Sequence, residues 1–471
     1  MLFNSLLFIL FLAIILFLHY LPLPWKLKKL NLCCASYVFY AAWNPPFVLL
    51  LWISTFIDWL VGRKIAAAES TAGKRAWLIL TLTVNLGMLG YFKYGGFILD
   101  NFTAMLALMG IHFQPVSSNV ILPVGISFYT FQSLSYSLDI YRGKLKPWPS
   151  LLDFALFVTF FPQLVAGPIV RAVEFLPQCI RERRASAEEF GWGLTMISLG
   201  LFEKVVLADA LTGPIADKVF AHPAASGFVD AWIGTLAFSA QIFFDFAGYS
   251  TCAIGTALTL GFLLPENFRY PYASYGFSEF WQRWHISLSS FLRDYLYIWL
   301  GGSRKGALRT AANASTTMLL GGLWHGAAWH FVIWGGIHGL LLAGERALKS
   351  IFSERIDTKK PGTRLSLMLL TYVLICMTWV FFRAPDTGAA FILLAAMTGA
   401  GEGNLLPSSS IWQIVILTVL LLSAHRLFRD RDFRKTLAIS PWWLRSTVLA
   451  GLLLSLALAP GDDRAFIYFQ F

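Results

Sequence analysis

Charge is the scarcest property of this chain. Only 13% of its 471 residues are Asp, Glu, Lys or Arg, whereas a soluble domain carries about a quarter, so water is excluded as the main solvent. Cysteine is sparse as well. The five thiols, Cys33, Cys34, Cys179, Cys252 and Cys376, form no CxxC pair, which argues against both a disulfide framework and a thiolate zinc site. Also missing are a repeat of fixed period, a long linker between domains, and a small-residue cleavage site after the first apolar run. That run is therefore expected to stay as a retained helix.

What fills the chain instead is apolar: 57% of residues are hydrophobic. Long runs at 2–21, 77–92, 231–244, 365–382 and 446–460 mostly approach the roughly 20 residues that a bilayer demands. The fold class expected is an all-α polytopic membrane protein. Lys+Arg 37 against Asp+Glu 26 leaves a net charge of +11, a balance that can signal nucleic acid. Here the cations sit in short loops between apolar runs, and the positive-inside rule accounts for them without a nucleic-acid partner.

The same rule predicts the topology. Lys26, Lys28 and Lys29, then Arg63, Lys64, Lys74 and Arg75, mark two cytoplasmic loops and place the N-terminus outside. The stretch 100–120 holds neither Lys nor Arg and is expected outside. Arg142, Lys144 and Lys146, then Arg171 to Arg184, Arg304 to Arg309, Lys349 to Arg364 and Arg426 to Lys435 return the chain to the cytoplasm, so the last helix, about 442–460, exits outside. Two stretches, 151–170 and 311–343, have basic loops on both sides yet are too short for two crossings of about 20 residues each. Both are expected to be re-entrant or broken, and unwound backbone at membrane depth requires protein or a water-filled cavity to receive it.

The second of these stretches carries His325, His330 and His338 among glycines and tryptophans. An ionisable side chain at membrane depth is costly and usually faces the interior, where it marks a site. His325 follows Gly321, Gly322 and Trp324; the glycines are expected to leave room for a substrate while indoles exclude water, and a neutral imidazole there suits a general base. The residues alone fit a buried structural histidine equally well. His330 and His338 read as structural, because their spacing from His325 does not match a helical metal pair, and no metal is expected. From Glu279 to Gly302 the string EFWQRWHISLSSFLRDYLYIWLGG reads as one amphipathic helical segment, with Arg283, His285, Arg293 and Asp294 interleaved with aromatics. Taken alone it is an interfacial helix.

Longer strings carry more. LPVGISFYTFQSLSYSLDIYRG, FPQLVAGPIVR, QIFFDFAGYS, ENFRYPY, EFWQRWHISLSSFLRDYLY, GGLWHGAAWHFVIWGGIHG and FIYFQF resemble the bacterial alginate O-acetylation branch of the membrane-bound O-acyltransferases, and the resemblance runs through nearly the whole chain. That branch also includes peptidoglycan O-acetyltransferases, cellulose acetylation proteins and the D-alanyl transferase of teichoic acids. It implies one transmembrane domain over 1–471, with N-terminal helices in 1–120, the motif-bearing core in 121–345, C-terminal helices in 346–460 and an external tail at 461–471. It also implies some 10–12 transmembrane or re-entrant helices around a central funnel. The histidine of the WHG motif is the catalytic one in the family and falls on His325. The second family histidine, in RWHISLS, falls on His285, with chemistry, positioning and donor binding all open as its role. Trp324 and Arg283 are expected to line the passage.

The reaction implied is acetyl transfer from a cytoplasmic donor, acetyl-CoA, to a hydroxyl outside the bacterial inner membrane, with membrane lipid and periplasmic acetyl-transfer proteins as partners. Basic loops would draw the donor's phosphates. Tyr468, in the aromatic tail, resembles the C-terminal tyrosines of this branch and is expected to accept the acyl group and relay it; the plainer reading is a tail anchored at the interface. Two rivals remain at this stage: a transporter or flippase, since broken helices near the midplane also build transport sites, and an acyltransferase acting on lipid or protein.

Overall fold

A computed structural model describes residues 1, 3–115, 120–352, 360–459, 464, 466 and 467. Among them there are helices and no strands. Four helices are long and apolar enough to cross a membrane: Pro45–Ala67, Thr71–Leu108, Pro361–Arg383 and Ser408–Phe428. Leu6–Tyr20, Thr387–Ala400 and Trp442–Leu458 are apolar but shorter. The chain divides into two compact units, one of residues 1–197 with 252–265, the other of 198–251 with 266–471.

In the first unit the helices Val48–Ala67, Thr71–Leu89 and Ile126–Tyr141 enclose a polar knot. The fully buried Asp58 carboxylate accepts from Thr81 Oγ1, from Ser137 Oγ at 2.7 Å and from Asn85 Nδ2 at 2.9 Å. Ser54 adds a bond to Asn85 Oδ1 at 2.7 Å. Neutral donors from the two neighbouring helices thus replace the water that this carboxylate loses, as a buried polar group requires.

Two segments expected on one side of the membrane do meet within this unit. Lys28 Nζ reaches Glu182 Oε1 at 2.6 Å, Trp25 Nε1 donates to the Cys179 carbonyl at 2.8 Å, and Lys29 pairs with Asp153. The stretch 151–170 is broken: Leu151–Thr159 ends at Phe160, and the four-residue helix Phe161–Leu164 follows with Pro162 at its start. The break is received by protein, since Phe161 N–H donates to Ser36 Oγ at 3.1 Å and Gln163 Nε2 to the Phe157 carbonyl at 2.8 Å.

The second anomalous stretch behaves differently. Gly306–His325 and Trp329–Phe352 are two continuous helices joined by the turn 326–328, a hairpin that extends past both ends of 311–343. Small residues draw the two backbones together. A Cβ at Gly322 would strike the Phe331 carbonyl and Gly335, and one at Gly339 would meet the Ser315 backbone at 2.7 Å. The expectation that Gly322 leaves room for a substrate is therefore overturned: its missing side chain is filled by the neighbouring helix.

The segment from Glu279 is likewise not one helix. Phe277–Arg283 and Ile286–Leu292, seven residues each, are separated at Trp284 and His285. His285 takes φ 44°, and Tyr270 takes φ 47°; they are the two non-glycine residues with positive φ among those described. A side chain in the left-handed region costs about 1 to 3 kcal/mol and persists where surrounding bonds over-determine it. Those bonds are present. Ile286 N–H donates to the Asn267 carbonyl at 2.9 Å, and Arg269 N–H to the Arg283 carbonyl at 2.9 Å.

Candidate active site

The strained turn and the hairpin tip bring two histidines together inside the second unit. His325 is the last residue of Gly306–His325, His285 occupies the break, and their ring centroids lie 6.5 Å apart. Both side chains are buried, at 3% and 0% exposure. Trp324 packs against both, with centroids 5.0 Å from His325 and 6.0 Å from His285. Trp334 meets the His325 ring edge-on at 5.2 Å, and Phe382 lies at 5.3 Å. Trp334 in turn stacks on Trp379 at 5.8 Å, and Trp379 contacts Trp284 at 5.0 Å. Such an aromatic wall excludes water from two basic nitrogens, and in a dry site electrostatic interactions strengthen. Being at a helix C-terminus, His325 sits where carbonyl dipoles gather partial negative charge, which suits a group that receives a proton.

The orientation of His285 follows from its neighbour. Its Nδ1 lies 3.2 Å from Asn267 Oδ1. That oxygen also accepts from Ser287 N–H at 3.3 Å and Ser287 Oγ at 2.9 Å, while Asn267 Nδ2 donates to Ser250 Oγ at 3.1 Å. A backbone N–H has no acceptor role, so Ser287 fixes which end of the amide faces it. His285 must then carry its proton on Nδ1, which leaves Nε2 as the basic nitrogen.

The remaining sequence candidates sort by their contacts. His338 is bonded on both nitrogens, Nδ1 accepting from Trp281 Nε1 at 3.2 Å and Nε2 donating to Thr378 Oγ1 at 3.1 Å. His330 Nδ1 donates to the Phe381 carbonyl at 2.9 Å. Both serve the packing of the hairpin on Pro361–Arg383. Arg283 is not brought to the histidines by its hydrogen bonds: it donates to Glu279 Oε1 at 2.9 Å, the Arg429 carbonyl at 3.0 Å and Asp430 Oδ1 at 3.2 Å. Tyr468 lies outside the described residues. Among the described residues no cluster of His, Cys, Asp and Glu could hold a metal ion.

Comparison with known proteins gives the family of the chain that carries this arrangement. Residues 144–382, just over half of the chain and the span that holds both histidines, match the membrane-bound O-acyltransferase family. The chain belongs to that family. It is 44% identical to a probable alginate O-acetylase AlgI of Azotobacter vinelandii over 89% of this chain and 83% of that protein. To a probable alginate O-acetylase AlgI of Pseudomonas putida it is 40% identical over the full length of both, and to a peptidoglycan O-acetyltransferase of Helicobacter pylori 39% over 85% and 80%. The protein is an O-acyltransferase of the membrane, and the transporter reading falls away.

In this membrane-bound O-acyltransferase the two imidazoles therefore lie buried near one another, with Trp324 against both. Sequence reasoning named His325, His285 and Trp324, which the structure brings together, but not Asn267, Trp334 or Phe382 beside them. Asn267 stands in the quoted ENFRYPY string; nothing in its spacing announces that it meets a histidine 18 residues on.

Proposed function

We propose that the protein transfers acetyl groups from acetyl-CoA, supplied on the cytoplasmic side of the bacterial inner membrane, to hydroxyls of an exported polysaccharide such as alginate. The observation that carries this reading is the pairing of His285 and His325 in one aromatic compartment. His325 takes the proton of the acceptor hydroxyl as its oxygen attacks the thioester carbonyl. The tetrahedral adduct collapses by breaking the C–S bond, and the imidazolium returns the proton to the departing thiolate, so an ester and a free thiol result. His285, held by Asn267, presents Nε2 to the same compartment and positions donor or acceptor.

The acceptor hydroxyl in this step is that of Tyr468, which then hands the acetyl to a periplasmic acetyl-transfer partner for the polymer. Support comes from the residues just before it: Phe466 packs on Phe246 at 5.6 Å, and Phe246 meets the His285 ring at 4.6 Å. Both termini face the periplasm in this reading, and the basic loops face the donor.

The 39% identity to the peptidoglycan enzyme supports a second acceptor, peptidoglycan, reached by the same chemistry. One experiment tests both. The chain is expressed in a host that exports alginate but lacks its own acetylating membrane protein, and polymer and cell-wall ester content are measured by NMR. Acetylated alginate from wild type and none from His325→Ala is the expected result; ester on peptidoglycan alone favours the second acceptor, and ester on neither overturns the reading.

A further inference from the structure

The second unit contains a buried ion network that the chemistry above does not use. Lys204 and Asp209 lie in the π-helical stretch Phe202–Thr212, and the i→i+5 repeat of a π-helix places residues five apart on one side. Lys204 Nζ reaches Asp209 Oδ1 at 2.8 Å and also pairs with Asp245, on the helix Phe228–Thr259. All three side chains are at least nine-tenths buried. Buried ions contribute less to stability than apolar groups of equal volume, and their best-attested use is to fix a register.

What they fix here is a segment of backbone. Asp245 Oδ2 accepts the N–H of Ile467 at 2.8 Å. One residue pair away, Arg464 Nη1 bonds Asp217 Oδ2 at 2.9 Å, and the other oxygen of Asp217 is held by Arg383 Nη2 at 2.7 Å. Phe466 and Ile467 are 1% and 4% exposed. Phe466 lies 4.9 Å from Tyr249, one helical turn beyond Asp245. Its other neighbour, Phe246, is the residue whose edge meets His285. A segment anchored only in the membrane interface needs apolar contacts and no such charges.

We propose that Asp245, backed by Lys204, and Asp217, backed by Arg383, form a dock that seats Arg464, Phe466 and Ile467 beside the histidine pair, and that these are positioning residues for acyl passage to the acceptor. The proposal rests on the reading of His285 and His325 as the reacting pair. Asp245 sets the register through one amide, Asp217 clamps the segment three residues earlier, and Phe466 backs the wall that Phe246 presents to His285. Loosening either point leaves the histidines and their aromatic box in place while the wall behind them shifts.

The test uses the purified full-length protein and Arg464→Ala, Arg464→Lys, Asp217→Ala and the double variant, with His325→Ala as control. Hydrogen exchange of the peptide containing residues 464–467 reads the dock directly, since the Ile467 amide is buried and bonded. Slow exchange is expected in wild type and His325→Ala, faster exchange in Arg464→Ala and Asp217→Ala, no further gain in the double variant, and recovery in Arg464→Lys. With radiolabelled acetyl-CoA, acetyl transfer to the acceptor should fall by about 10- to 100-fold in the loosened variants, the scale of a misplaced reacting geometry, while loss of thioester falls less. A wild-type segment that exchanges at the rate of a free peptide overturns the dock, and released variants that transfer acetyl at the wild-type rate overturn the positioning role. Should wild type leave acetyl-CoA intact, the donor reading fails, and the exchange data still decide the dock.

Discussion

Asn267 accepts the Nδ1 proton of His285 across 3.2 Å, from a loop 18 residues earlier in the chain. The same amide oxygen takes the Ser287 N–H at 3.3 Å, and the Asn267 carbonyl takes that of Ile286 at 2.9 Å. One residue therefore holds both the imidazole and the left-handed backbone that aims it. Replacement of Asn267 by Ala is expected to lower acyl transfer by about 10- to 100-fold, as when a histidine's orienting partner is lost elsewhere. The check is a double-mutant cycle: if Asn267 acts through His285, the pair Asn267→Ala, His285→Ala is no worse than His285→Ala alone. Additive losses would show that Asn267 acts by another route.

The polar knot around Asp58 predicts a stability effect without a catalytic one. Asp58→Ala takes the Asp58 acceptor from the Thr81 and Ser137 hydroxyls, at about 1 to 3 kcal/mol for each buried group left unpaired, while Asn85 Nδ2 keeps the Thr81 carbonyl at 3.1 Å. Asp58→Asn keeps one acceptor oxygen and should cost less. Thermal midpoints of the detergent-solubilised variants, ordered wild type, Asn, Ala, would bear this out; equal midpoints would mean that the knot does not hold its three helices.

Gly322 and Gly344 sit on the two arms of the same hairpin but have opposite surroundings. A Cβ at Gly322 meets backbone of Phe331 and Gly335, whereas one at Gly344 meets nothing within 4 Å. Gly322→Val should therefore destabilise by about 1 to 3 kcal/mol, the range for overpacking, and disturb His325 three residues on. Gly344→Ala should be neutral or slightly stabilising, because alanine favours a helix. A normal midpoint and normal activity in Gly322→Val would contradict the close helix contact.

How much of this was legible follows from what each signal encodes. Apolar runs and basic loops report the solvent of a helix, so the all-helical membrane class and the break near Pro162 were readable. The family strings then brought out His325 and His285. Packing is not written in that code. Gly322 looked like space for a substrate because composition shows a missing side chain without showing what fills it, and the helix predicted through His285 failed because hydrophobic periodicity carries no record of the Asn267 bonds that sustain a positive φ. Asp245 was visible as a lone acid in the apolar QIFFDFAGYS string, a signal that intramembrane charge marks a purpose. Its partner Lys204 was hidden by a π-helical register that an α-helical reading does not test.

In the proposed mechanism His325 performs the chemistry, while the other buried histidines of its hairpin, His330 and His338, serve packing. Purified wild type, His325→Ala and His338→Ala, given radiolabelled acetyl-CoA, test it through the rate of thioester loss and the thermal midpoint of each protein. His325→Ala is expected to lose about 100- to 10,000-fold in rate, the usual span for a general base, with a midpoint near wild type. His338→Ala, which frees Trp281 and Thr378, should unfold at lower temperature yet turn over when folded. Wild-type turnover in a folded His325→Ala protein would rule out His325 as the base.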